Sequence, residues 1–218
     1  MRKQGNKMKH LILLLAAFSF GLPAFGQDAE LGAGFGGSFY TSREVKNGTN
    51  SVSAGFKPGF GYAVWAGQNM YRHIGGEIRY TFLSQDAKLS GLNQEATFGS
   101  QSHRVGYTLL FHATSKGSRV RPFFGVGGGV TVFRGTGQER VSQALSRYAL
   151  LTRTNELKPY VDLTVGVKLQ LSDRFGLRAE VRDYIGPVSN KLFTPNVGSS
   201  LTGWQHDFVP MVGIAYLF

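Results

Sequence analysis

Five histidines, a scatter of serines and carboxylates, and no cysteine are the raw material for nucleophilic or metal chemistry in this 218-residue chain. The lack of cysteine removes disulfides, thiolate nucleophiles and Cys-based metal sites together. A serine hydrolase needs a nucleophile, a base and an orienting acid within reach of one another. His112 precedes Ser115 by three residues, but Ser115 falls in a short turn. His206-Asp207 has Ser199 and Ser200 nearby in sequence and is the remaining triad candidate; the plainer reading is polar residues at a rim. His73, His103, His112 and His206 fall on different strands or turns without ligand spacing, so no metal site is expected. The glycine-rich run 125–129 is followed by no helix and is not a phosphate loop. No catalytic residue, metal or cofactor is assigned.

The more regular chemistry is ionic. Glu77 and Arg79 are two residues apart, as are Arg178, Glu180 and Arg182, while Asp162 and Lys168 are separated by an even number of positions. Spacing of two places side chains on one face of a strand. The other face of the same segments is apolar: Ile78, Tyr80 and Phe82 in one, Leu177, Ala179 and Val181 in another. Eight stretches alternate in this way, at about 30–40, 52–66, 74–83, 103–113, 120–133, 160–171, 175–184 and 204–218. In the last, Val212, Ile214, Tyr216 and Phe218 are large, while Gly213 and Ala215 between them are small. Most of these stretches are long enough to cross a bilayer at a tilt.

The connections alternate too. Residues 68–73, 114–119 and 172–174 are short; 41–51, 84–102, 134–156 and 186–203 are long and polar. Within 134–156, Val141, Ala144, Leu145, Tyr148 and Leu151 recur at helical spacing, so an amphipathic helix is expected over 138–152. Residues 1–9 are basic, 11–20 are apolar, and Gly21 and Pro23 break the run ahead of Ala24-Phe25-Gly26. This pattern predicts a secretory signal peptide, 1–26, and a mature domain, 27–218. The formal charge of +11 falls to +7 without Arg2, Lys3, Lys7 and Lys9. The remaining cations are scattered, with no basic helix or run, so nucleic acid is not an expected partner.

Together, the leader, the eight strands, the asymmetric connections and the terminal phenylalanine resemble the small eight-stranded outer-membrane barrels of the OmpA/OmpX type. The resemblance implies an all-β, antiparallel, up-and-down transmembrane β-barrel in the cell outer membrane; the periplasmic domain of larger family members is not expected. It implies contact with outer-membrane lipids and lipopolysaccharide. It also implies recognition of the last strand (Val212, Ile214, Tyr216, Phe218) by the barrel-assembly machinery, and an extracellular partner reached through the long loops. Eight strands leave an interior that side chains just fill. Glu77, Arg79, Asp162, Lys168, Arg178, Glu180 and Arg182 are therefore expected to form a lumen charge network. Glu77 should face Arg178, Arg79 should face Glu180, and Asp162 should neighbour Arg182. A plugged, structural or surface-interacting barrel is the leading reading. A narrow channel for small solutes and a lipid-modifying enzyme are the alternatives.

Overall fold

A strand with hydrocarbon on one side and a narrow interior on the other must alternate large apolar residues with small or paired polar ones. The computed structural model, which describes residues 29–139 and 142–218, meets that requirement eight times around a closed ring. In chain order the strands are β1 (Ala29–Tyr40), β2 (Arg43–Asn47), β3 (Asn50–Phe56), β4 (Gly59–Gln68), β5 (Ile74–Gly91), β6 (Gln94–His112) and β7 (Val120–Gly135). They continue with β8 (Ala149–Leu151), β9 (Asn155–Gln170), β10 (Phe175–Pro187), β11 (Phe193–Pro195), β12 (Ser199–Leu201) and β13 (Trp204–Leu217). The ring is β1, β4, β5, β6, β7, β9, β10 and β13, each antiparallel to the next, with β13 returning to β1. The expected leader lies outside the described residues.

The apolar faces point out. Phe35 is 69% exposed, Val165 60% and Ile214 50%. A water-soluble barrel of this size would bury that surface around a central cavity. Aromatic residues gather near both ends of the outer wall. Phe39 and Phe208 are opposite each other across the β1–β13 seam near the loops, and Phe175, Tyr216 and Phe218 pack in sequence near the turns. The seam carries one local weakness. Pairing lapses at Gly37 and Ser38, opposite Val209 and Pro210, because proline has no N–H to donate there. On its other side Pro210 stays in register with Val181 of β10.

The strands do not stop where the barrel does. β5 and β6 run 18 and 19 residues, against the roughly 9–11 a tilted spanning strand needs. The surplus forms a hairpin beyond the loop end of the barrel, turning at Leu92 and Asn93 with φ of 51° and 58°. Both values belong to the twisted two-residue turn that suits hairpins. β3 pairs with the free edge of β5, β2 with β3, and β12 with β2, so 41–51 and 84–102 are ordered sheet and not polar loops.

The second stretch, expected as one strand over 52–66, is two. Lys57-Pro58 interrupts it, and the alternation resets across the break. Phe60, Tyr62 and Val64 face outward, while Phe56 turns inward and is 6% exposed. The helix expected over 138–152 is not present among the described residues. Residues 144–148 form turns, Leu145 adopts φ 63°, and the segment ends in β8 paired with β11. Arg140 and Val141 lie outside the described residues. Leu145, Tyr148 and Leu151 still point the same way, into an apolar cluster with Val45, Val52, Phe56, Leu89, Phe98, Phe133, Leu192 and Phe193. Phe56 is central, 4.4 Å from the Tyr40 ring and 5.3 Å from Phe193. The connections thus fold into a cap with its own hydrophobic core over the loop end.

Phe193→Ala removes a fully buried ring from that cap, a loss of about 3–5 kcal/mol for a large-to-small core change. Limited proteolysis of the refolded protein is expected to cut the loop-end segments faster while the barrel's β-sheet circular dichroism is unchanged. Equal cleavage rates would mean that the cap does not depend on this core.

Candidate functional site

Parity along each strand decides what enters the lumen. From β1 come Glu30, Gly32 and Ser38; from β4, Ala63 and Trp65; from β5, Glu77, Arg79, Thr81 and Gln85. From β6 come Arg104, Thr108 and His112; from β7, Arg121 and Phe123; from β9, Tyr160, Asp162, Thr164 and Lys168. β10 and β13 add Arg178, Glu180, Arg182, Tyr184 and Asp207. Two glycines make room for the largest groups. A Cβ at Gly32 would lie 2.3 Å from the Trp65 ring, and one at Gly127 would lie 2.5 Å from the Asp162 carboxylate.

All seven charges read from the sequence point inward, and they join into one network. Arg178 sits between two carboxylates: Nη1 donates to Glu77 Oε2 at 2.5 Å, and Nη2 to Glu180 Oε2 at 2.6 Å. Arg79 bridges the same pair from the other side, with Nε to Glu77 Oε1 at 3.0 Å and Nη2 to Glu180 Oε1 at 2.7 Å. Arg182 reaches Glu77 Oε1 at 2.7 Å and also binds Asp162. Thr108 donates to Asp162 Oδ1 at 3.0 Å. Arg79 and Arg178 flank the Trp65 ring at 4.8 and 5.0 Å, and Phe123 covers Arg178 at 4.6 Å. These rings fill volume while their faces favour the cations. Lys168 joins that centre through Glu30, whose Oε1 also lies 3.5 Å from Arg178 Nη1. It binds both oxygens of Glu30 at 2.8 Å near the turn end, and Trp65 Nε1 donates to the same carboxylate at 3.2 Å.

Sequence reasoning missed four members of the lumen: Glu30, Arg104, Arg121 and Asp207. Arg104 Nη1 meets Asp207 Oδ2 at 2.6 Å, Ser38 donates to Asp207 Oδ1 at 2.8 Å, and the guanidinium lies 4.2 Å from the Tyr184 ring centre. This second ion pair sits directly under the apolar cap. The signal was available, since each of the four shares parity with inward neighbours on its own strand.

The triad candidate is taken apart by the same parity. Asp207 faces the lumen while His206 faces outward. His206 Nδ1 instead meets Asp183 Oδ2 of β10 at 2.7 Å, and its ring stacks on Phe208. Ser199 lies in β12, bonded to Asn47. No group of three or more His, Cys, Asp or Glu residues suited to a metal occurs among the described residues. Val212, Ile214 and Phe218 lie exposed on the outer face of the last strand, with Tyr216 half-buried between its aromatic neighbours.

The family model described as "Outer membrane protein beta-barrel domain" matches residues 12–199. No curated protein sequence matches the chain. Among solved structures, the crystal structure of the outer membrane protein OprG from Pseudomonas aeruginosa aligns over 88% of this chain and 97% of its own, at 12% identity and a TM-score of 0.60. That of Neisserial surface protein A (NspA) aligns over 87% and 97%, at 11% identity and a TM-score of 0.50. At such identities the likeness is one of fold.

Arg178→Met strands Glu77 and Glu180 inside the barrel with one cation fewer. Breaking a buried ion network from one side costs about 3–5 kcal/mol. Urea unfolding in detergent, followed by tryptophan fluorescence, is expected to show a correspondingly lower midpoint; a midpoint equal to that of the parent would mean the network is solvated.

Proposed function

The chain belongs to the outer membrane protein β-barrel family, and from that membership we propose a non-enzymatic barrel, closed to diffusion, that works through the surface its folded loops present outside the cell. The carrying observation is the cap. Its buried residues come from β2, β3, β5, β6, β7, β8, β11 and β12, so nearly every connection at that end contributes to one apolar core. A barrel whose loops merely joined strands would have no use for such a core. A defined surface for a partner does, because a preorganised surface loses less entropy on binding.

The lumen supports the same reading. Below the cap lie the Arg104–Asp207 pair and then the network around Glu77, Arg79, Arg178, Glu180 and Arg182. Conduction would require breaking several desolvated ion pairs at once. In this reading the leader 1–26 is removed, leaving 27–218. The outer face of β13, with Val212, Ile214, Tyr216 and Phe218, is what the assembly machinery engages. Outward residues at the loop end, Arg134 among them, meet lipopolysaccharide and other outer-membrane lipids. The most exposed apolar tips, Val197 at 95% and Leu92 at 61%, are the first candidates for contact with an extracellular partner.

Two measurements test this. Pure protein in planar bilayers is expected to give no large, steady conductance; sustained openings would overturn the closed lumen and favour the channel. Cells carrying Leu92→Asp with Val197→Asp are expected to lose adhesion or serum survival at unchanged surface abundance. No change in either would remove these tips from the proposed interface.

A further inference from the structure

At the turn end the lumen does not close over. It widens into a cavity of about 170 Å³ whose walls include Glu30, Asn69, Lys116, Arg121, Lys168 and Arg178. The cations deeper inside all have carboxylates: Arg178, Arg79 and Arg182 share Glu77 and Glu180, Arg104 has Asp207, and Lys168 has Glu30. Arg121 is the exception among the described residues. It is 8% exposed, yet forms no ion pair there, and its one hydrogen bond runs from Nη1 to the Asn69 amide oxygen at 3.0 Å. Its Nε and Nη2 have no partner among the described residues. Those two nitrogens form one edge of the guanidinium, the edge that matches the two oxygens of a carboxylate or phosphate. On the adjoining strand His112 is 4% exposed, and both of its ring nitrogens likewise lack a partner among the described residues.

A charge removed from water without a counter-charge is unfavourable by several kcal/mol. Glu30 acts on Arg121 only through space, because its oxygens accept from Lys168, Trp65 and Arg178 and not from Arg121. The surroundings favour an incoming anion. The turns around the mouth expose Arg72, Lys116, Arg119 and Arg174 against Asp173, which also lines the cavity, and a rim of net positive charge concentrates anions.

We propose that this turn-end cavity binds a small diffusible oxyanion, a carboxylate or a phosphate, with Arg121 as its anchoring residue. The site is independent of the capped end and does not require a conducting lumen, since the network around Arg178 closes it from above. The anion completes the lumen cation that has no ion pair among the described residues and is held through two parallel N–H donors, while the rim delivers it. Arg121 must swing its Nε–Nη2 edge toward the cavity to do so.

The test uses the full mature protein refolded in detergent, with thermal unfolding followed at fixed ionic strength in sodium phosphate, sodium acetate or sodium chloride. Phosphate and acetate are expected to raise Tm saturably beyond chloride. Arg121→Gln is expected to weaken that binding about tenfold or more. The idea is overturned if the parent shows no saturable response, or if Arg121→Gln responds as the parent does. Should Arg121→Gln fail to refold, Arg121→Lys keeps the charge but loses the planar fork and must still weaken the response. On the parent alone, ³¹P line broadening of phosphate must be reversed by acetate. Submicellar short-chain phosphatidylglycerol serves as a separate arm; binding of that lipid without any response to phosphate or acetate would assign the site to membrane headgroups and sink the diffusible-anion proposal.

Discussion

Everything inside this barrel depends on one electrostatic constraint: charges taken out of water must meet opposite charges in a space about one side chain wide. An eight-stranded ring leaves no room for bulk solvent at mid-height, so Glu77 cannot be solvated by anything other than arginine. Its carboxylate accepts from Arg79, Arg178 and Arg182, which come from two strands on opposite sides of the lumen. Such a network is weak evidence for net stability, because desolvation offsets most of the Coulombic gain. Its effect is on specificity. A one-residue slip of β5 or β10 would send Glu77 or Arg178 into hydrocarbon, so the ions fix the register that the apolar face also demands.

The outer and inner faces therefore specify each other, which explains why so much of the barrel was legible in sequence. The period-two pattern of Val161, Leu163 and Val165 against Asp162 and Thr164 carries both faces in one reading. Parity also held the lumen residues that were overlooked. Glu30 and Arg121 lie at strand ends where alternation is short, and Asp207 adjoins His206 in what looks like a chemical pair, although adjacent strand residues point apart. Adjacency in sequence suggested catalysis; geometry assigned the two residues to opposite sides of the wall.

The cap was less legible for a different reason. Beyond the bilayer, the outside of a strand meets water, so β5 and β6 lose their greasy outer face and read as polar loop around Asp86, Lys88 and Glu95. Their inner residues Ala87, Leu89 and Phe98 are apolar because the cap is packed with apolar side chains. The pattern inverts at the membrane boundary without interrupting the strand. Pro58 shows the same inversion at a break, where Phe56 faces the cap core and Phe60 faces lipid. In 138–152 the spacing of Leu145, Tyr148 and Leu151 matches a helix stripe. Residues on successive turns closing over one cluster produce the same spacing, because what they share is a common apolar target and not a common helix axis.

The two ends of the molecule follow opposite solutions to the same problem. The loop end excludes water with an apolar lid over a neutralised ion pair, Arg104 with Asp207. Among the described residues the turn end has only short connections, too few to fold a lid, and so its ions are matched side chain by side chain or from solution. Lys168 and Glu30 satisfy each other there, and Arg121 is left over among the described residues. Short turns thus have an electrostatic consequence: at that end a buried cation without an ion pair, Arg121, lies beside an open cavity and not under a folded lid.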